Sequence, residues 1–129
     1  GDFFTGFQEN CLDDELVSSI LIPRNSVDVG IYDEFSRQPN DLALVNVCAV
    51  NSQEGVTAAI GGTSTTPIVV TPEHTDNVKN NDSILDRIVL LLENDIDQFA
   101  TDQFGSSRYR LELVHVLLKR ALPIVVERS

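Results

Sequence analysis

The hydrophobic period of this chain changes once, near its middle, and that change constrains the fold class more than any other feature. Up to Val70 the apolar residues alternate or run in short β-branched stretches. From Ile84 onward they recur every three or four positions, the helical spacing. Strands first and helices second, with no alternation between them, read as α+β with an antiparallel sheet rather than a doubly wound parallel one. The 129 residues suffice for one domain, 1–129, that buries roughly two-thirds of its unfolded surface without a disulfide or metal staple. The chain has no methionine, so the expectation is that a further segment precedes Gly1 in a longer protein.

Glu15 to Ile22 is a short β-branched run stopped by Pro23 and reads as a strand. Val27 to Ser36 alternates imperfectly and reads as a second, half-exposed strand, followed by the turn Arg37-Gln38-Pro39-Asn40. Leu42 to Val50 is nearly continuous in apolar residues and predicts a central strand covered on both faces. Val56 to Ile60 is another strand closed by Gly61-Gly62, and Ile68-Val69-Val70 extends it. Thr71 caps a short helix with Pro72 at its first position, and Asn80-Asn81 breaks it. Ser83 and Asp86 fit a capping box ahead of Ile84, Leu85, Ile88, Leu91, Leu92 and Ile96. Gly105-Ser106-Ser107 opens a last helix with a wide apolar surface, which Pro123 is expected to end.

The chemistry-bearing residues are few. His115 lies between Val114 and Val116 and reads as a packed imidazole; His74 lies in a polar stretch and reads as solvated. No Gly-x-Ser-x-Gly elbow is present, and no catalytic residue is expected. Glu93, Asp95 and Asp97 lack the glycine and distal glutamate of a calcium loop and read as a solvated helix end, as do Asp13-Asp14-Glu15; no metal site is expected. Gly61-Gly62 alone does not cradle a pyrophosphate. Asn81-Asp82-Ser83 matches a glycosylation sequon but reads as a helix cap. Cys11 and Cys48 match no metal spacing; Cys48, inside an apolar run, reads as a small packed hydrophobe, and both point to a reducing, cytoplasmic compartment.

Four blocks, in order, carry a resemblance. They are Asp2-Phe3-Phe4-Thr5-Gly6-Phe7 with Leu12, Glu15-Leu16 and Ile20-Leu21-Ile22-Pro23; Phe35-Ser36-Arg37 through Asp41-Leu42-Ala43-Leu44-Val45-Asn46-Val47; Ile60-Gly61-Gly62 with Thr66-Pro67 and Glu73; and Asp102, Gly105-Ser106, Tyr109-Arg110 with Leu117 to Leu122. Together they resemble the C-terminal domain of the FAD-binding subunit of the molybdenum hydroxylases, the family of xanthine dehydrogenase and carbon monoxide dehydrogenase. The resemblance implies a three- to four-stranded antiparallel sheet with about three helices packed on one face. It implies an N-terminal FAD-binding domain that holds most of the flavin, a molybdopterin-binding large subunit that oxidises substrate, and a small subunit whose 2Fe–2S iron–sulfur clusters relay electrons. FAD is then expected in the full-length subunit and not in these 129 residues alone. The alternative is a structural and interaction module that has lost its flavin role.

The same resemblance assigns flavin-proximal positions to Val17 and Glu34. Val17 keeps the apolar character of its position. Glu34 stands where the family carries lysine, Gln8 and Gln38 where basic residues are common, and Val69 where an arginine is common. A carboxylate beside the flavin disfavours its reduced, anionic form.

Nine Lys and Arg against twenty Asp and Glu give a net charge of −11, which argues against nucleic-acid or anionic-membrane partners. No apolar run approaches the ~20 residues of a membrane-spanning helix. Asp (12) exceeds Glu (8) and Arg (7) exceeds Lys (2), a composition that fits adaptation to high salt, where self-repulsion is screened. An ordinary acidic surface is the alternative. Thermal melts separate the two: salt adaptation predicts a higher Tm in molar salt than in low salt, and equal stability in both ends the idea.

Overall fold

The computed structural model describes residues 3–6, 9–21, 29–75 and 81–127. The sequence expectations at residues 7–8, 22–23, 27–28 and 80 lie outside them. Two short strands, β1 (Phe4–Gly6) and β2 (Glu9–Asn10), pair antiparallel at the start. The main sheet has four antiparallel strands in sequence order: β3 (Val29–Phe35), β4 (Val45–Ser52), β5 (Gly55–Gly61) and β6 (Ile68–Val70). Two helices follow, α1 (Asn81–Asn94) and α2 (Ser107–Glu127), with 3₁₀ turns at Pro72–Thr75 and Ile96–Gln98. Strands precede helices, as the period change predicts; the described helices are two, with short turns where the resemblance implies a third.

Alternation along the strands decides which face is covered. Val45, Val47 and Ala49 of β4, Ala58 and Ile60 of β5 and Val70 of β6 are buried on one face. α2 lies across β3 and β4 on that face, and α1 packs beside α2. Ile84, Leu85, Ile88 and Leu92 of α1 and Leu111, Val114, Leu117, Leu118, Ala121, Leu122 and Val125 of α2 complete one continuous core. Each fully buried aliphatic side chain contributes about 1.5–3 kcal/mol.

Five expectations are corrected. β4 is covered on one face only: Cys48 is exposed on the other, because helices pack against a single side. Residues 15–21 form an exposed, irregular segment rather than a strand. Their apolar residues come in pairs around Ser18-Ser19, and β-propensity takes effect only against a neighbouring strand. Residues 68–70 make a separate strand that returns along β5. Pro123 does not end α2, which runs four residues further. The proline ring removes one helical hydrogen bond, yet Leu122 and Val125 bury their side chains on either side of it. Asn51 Nδ2 donates to the Val125 carbonyl at 3.1 Å and so satisfies one of the last orphan acceptors. α1 also begins at Asn81, which places Ser83 inside its first turn.

One charged side chain sits inside this architecture. Arg110, in the first turn of α2, is only 4% exposed. Its Nη1 donates to the carbonyls of Leu44 (2.8 Å) and Gly62 (2.5 Å), and its Nη2 to Asp102 Oδ2 at 2.7 Å. It therefore ties the start of β4, the end of β5 and the loop before α2 to the helix. Gly62 makes this approach possible: it adopts φ +79°, and a Cβ there would fall 2.3 Å from the Leu44 carbonyl oxygen. The backbone N–H of Phe104, above all, and the Arg110 guanidinium hold the Asp102 carboxyl below its ordinary range.

Arg110→Ala removes the donor from two carbonyls and from Asp102 Oδ2, and is expected to destabilise the chain by about 3–5 kcal/mol in denaturant unfolding. Arg110→Lys, with a point charge and no planar fork, rescues only part of that loss. A depressed carboxylate contributes stability above its unfolded pKa that is lost as pH falls through the folded value. Asp102→Asn is therefore expected to flatten the acid limb of the stability–pH profile.

Candidate functional site

The helix-free face of the sheet is the candidate site. Its residues follow from the register: Gly30, Tyr32 and Glu34 on β3; Asn46, Cys48 and Val50 on β4; Thr57, Ala59 and Gly61 on β5; Val69 on β6. Two cross-strand rows matter most. Tyr32, Cys48, Ala59 and Val69 form one, and Glu34, Asn46 and Gly61 the next. Small side chains at Cys48, Ala59 and Gly61 leave the centre of the face shallow. A groove of about 570 Å³ lies there, bounded by Phe3, Glu9 and Asn10 on one side and the 62–67 loop on the other. A Cβ at Gly61 would fall 2.6 Å from Asn46 Oδ1, so this glycine gives the Asn46 carboxamide its space.

At the β3 end of the face the Tyr32 hydroxyl donates to Glu34 Oε2 at 2.5 Å. Residues two apart on a strand share a face, which brings the pair together. The hydrogen bond from the phenol to the carboxylate is the main cause that raises the Tyr32 pKa above its ordinary value, with the nearby negative charge of Glu34 acting in the same sense. Glu34 is thus a partnered carboxylate on the bare face. On the covered face the neighbouring Asp33 pairs with Arg120 of α2 (3.1 Å).

Val17, the other position singled out from the sequence, lies in the exposed 15–21 segment at 53% exposure. Gln38 is exposed in the β3–β4 connection, and Val69 is exposed on β6. Beside Gln38, Arg37 fastens that connection: its guanidinium lies 4.3 Å from the centre of the Phe104 ring. Arg37, Asp41, Leu42 and Phe104 border a second cavity of about 400 Å³ next to Arg110. His115 is half-buried on α2, and Glu93, Asp95 and Asp97 are exposed around the end of α1. Among the described residues no group of three or more His, Cys, Asp or Glu side chains could hold a metal. The Tyr32–Glu34 bond and the exposure of Cys48 escaped the sequence reading. Both follow once β4 is known to carry helices on one side only.

Fold and site together define a two-layer α+β module with one sheet face buried under helices and the other left open. The sequence profile of the CO dehydrogenase flavoprotein C-terminal domain matches residues 30–125, and the chain belongs to that family. The fold is likewise similar to solved structures. A carbon monoxide dehydrogenase from Hydrogenophaga pseudoflava that lacks the Mo-pyranopterin moiety of its molybdenum cofactor aligns with 16% identity and a TM-score of 0.67, over 99% of this chain and 47% of its own. Quinoline 2-oxidoreductase from Pseudomonas putida 86 aligns with 20% identity and a TM-score of 0.60, over 98% of this chain and 46% of its own. Reconstituted CO dehydrogenase from Oligotropha carboxidovorans gives 21% and 0.59, over 78% and 37%. These likenesses are of fold. The chain spans less than half of each of those solved chains. No curated protein sequence matches it.

Tyr32 supplies a pH test. A raised phenol pKa means that the folded state favours the neutral hydroxyl; its contribution is present below the ordinary value near ~10 and is lost as pH rises through the folded value. In a Tyr109→Phe background, which leaves one tyrosine, phenolate absorbance is expected to appear above the ordinary range. Adding Glu34→Gln should bring it back down. Titration of Tyr32 at the ordinary value with Glu34 intact would contradict the bond.

Proposed function

We propose that this chain is the C-terminal domain of the FAD-binding subunit of a molybdenum-containing hydroxylase, and that its open sheet face covers the flavin. The observation that carries the reading is the open face itself. Its shallow floor of Cys48, Ala59 and Gly61 has the shape to receive a flat ring system, and Glu34, the position matched to a family lysine, points from the same side. The described residues suit covering rather than gripping: no glycine-rich strand-to-helix loop of the kind that cradles a pyrophosphate is present among them. The bound FAD would supply the chemistry, taking electrons from iron–sulfur centres and passing them to an acceptor.

The chain's own residues would then do three things. The sheet floor keeps water from one side of the ring. Glu34 sets a negative charge where reduction adds another, which lowers the tendency to accept electrons. The Tyr32 hydroxyl holds that carboxylate in one orientation. The remaining surface is available for the molybdopterin-binding and iron–sulfur subunits, in a cytoplasmic assembly. Among the described residues no helix is long and apolar enough to cross a membrane. The second reading, an interaction module without a flavin role, is favoured by the carboxylate at position 34 in place of a cation.

In the flavin-loaded full-length subunit, Glu34→Gln is expected to raise the flavin midpoint potential on the order of 30 mV, equivalent to roughly 1.4 kcal/mol for two electrons, and Glu34→Lys by more. Spectroelectrochemistry reads both. An unchanged potential in the two variants removes Glu34 from the flavin's surroundings. A full-length product without flavin absorption leaves the second reading standing.

A further inference from the structure

Both cysteines of the chain belong to one groove on the open sheet face. Cys48 lies in the middle of its floor, in the cross-strand row with Tyr32, Ala59 and Val69. Cys11 stands at its rim. The two residues before it, Glu9 and Asn10, line the groove, and its backbone N–H donates to the carbonyl of Phe3, a third lining residue, at 2.9 Å. The Asn10 side chain accepts from the Leu12 N–H at 2.9 Å and so turns the chain around Cys11. Both thiols are exposed, neither is in a disulfide, and neither serves the core. The β1–β2 hairpin that leads into Cys11 pairs with no described strand of the main sheet. It can settle onto the floor without breaking a ladder hydrogen bond.

We propose that Cys11 and Cys48 form a reversible disulfide that latches the β1–β2 hairpin across the groove. A disulfide holds its two Cα atoms within about 7 Å. With that bond in place the end of the hairpin rests against the floor, and no flat ring fits between them. The reduced chain leaves the face open; the oxidised chain closes it. The oxidant is a small disulfide such as oxidised glutathione. The Cys48 thiolate attacks one of its sulfurs, forming a mixed disulfide and releasing one glutathione. The Cys11 thiolate then attacks the Cys48 sulfur and releases the second. Two protein thiols lose two electrons and two protons, and one small disulfide becomes two thiols. A bond this exposed is open to the reverse attack, so excess reduced glutathione undoes the latch. The consequence for flavin rests on the functional reading above: a ring seated over Cys48 and a closed latch exclude each other.

The test adds oxidised glutathione to the flavin-free full-length subunit and maps a non-reducing digest by mass spectrometry. The expected product joins the Cys11 and Cys48 peptides and is lighter than their sum by the two hydrogens lost. Its yield relative to the Cys48–glutathione adduct should be at least tenfold higher in the folded subunit than in urea, because folding raises the effective concentration of one thiol at the other. Cys11→Ser should leave Cys48 only as the glutathione adduct. Adducts without the link, a link to a second copy or to another cysteine, or the same relative yield in urea would each overturn the latch. Loading the subunit with flavin should slow the link at least tenfold. If the link forms equally fast with flavin bound, the exclusion and the earlier placement of the flavin fall together, and the peptide map tells that failure from a missing link.

Discussion

The Arg110 guanidinium ties the start of β4, the end of β5 and the loop before α2 to the first turn of that helix. Burying a cation is unfavourable unless its donors are met, and here three acceptors from three separate parts of the chain meet those of the two Nη atoms, while the buried Nε has no hydrogen-bond partner. The arrangement works in one geometry only. The Leu44 and Gly62 carbonyls must converge, which requires β4 and β5 in their observed register and a glycine at position 62. Asp102 must lie alongside, which fixes the loop that leads into α2. The core then closes over one face of the sheet, and the other face is left open as a consequence.

That division of labour explains how a small domain keeps a bare sheet face in water. All of the large buried aliphatics serve the helix side. The open side carries small or polar groups at its centre and one aromatic, Tyr32, whose hydroxyl is engaged by a carboxylate. A face with few large hydrophobics loses little by remaining exposed, and it stays flat enough to receive another body. The charged residues of β3 follow the same partition, with Asp33 turned to the helix layer and Glu34 away from it.

Much of this was legible in the residues alone. The change of period gave the order of strands and helices, and the helical spacing from Ile84 to Leu92 identified the residues that α1 buries. Two kinds of feature were not legible. Leu42 to Val50 is apolar throughout, so its composition did not reveal that Cys48 faces outward; sidedness is a property of what packs on the strand. A proline inside a helical run usually ends it, but at Pro123 burial of Leu122 and Val125 and the donor from Asn51 hold the chain helical past it. Arg110 stood among the family-like residues, yet its burial depends on two carbonyls distant in sequence. For the candidate site, Glu34 was found by resemblance, and its phenol partner only by geometry.

The outermost position of β3 has a further bearing. Among the described residues β3 is an outer strand of seven residues, and an outer edge is where an extended chain can add, the usual beginning of fibril growth. Here an incoming strand would have to lie against Asp33 and Glu34 in succession, on a molecule already strongly anionic. Concentrated solutions of this domain should therefore resist ordered aggregation near neutral pH and become prone to it as its carboxylates are protonated.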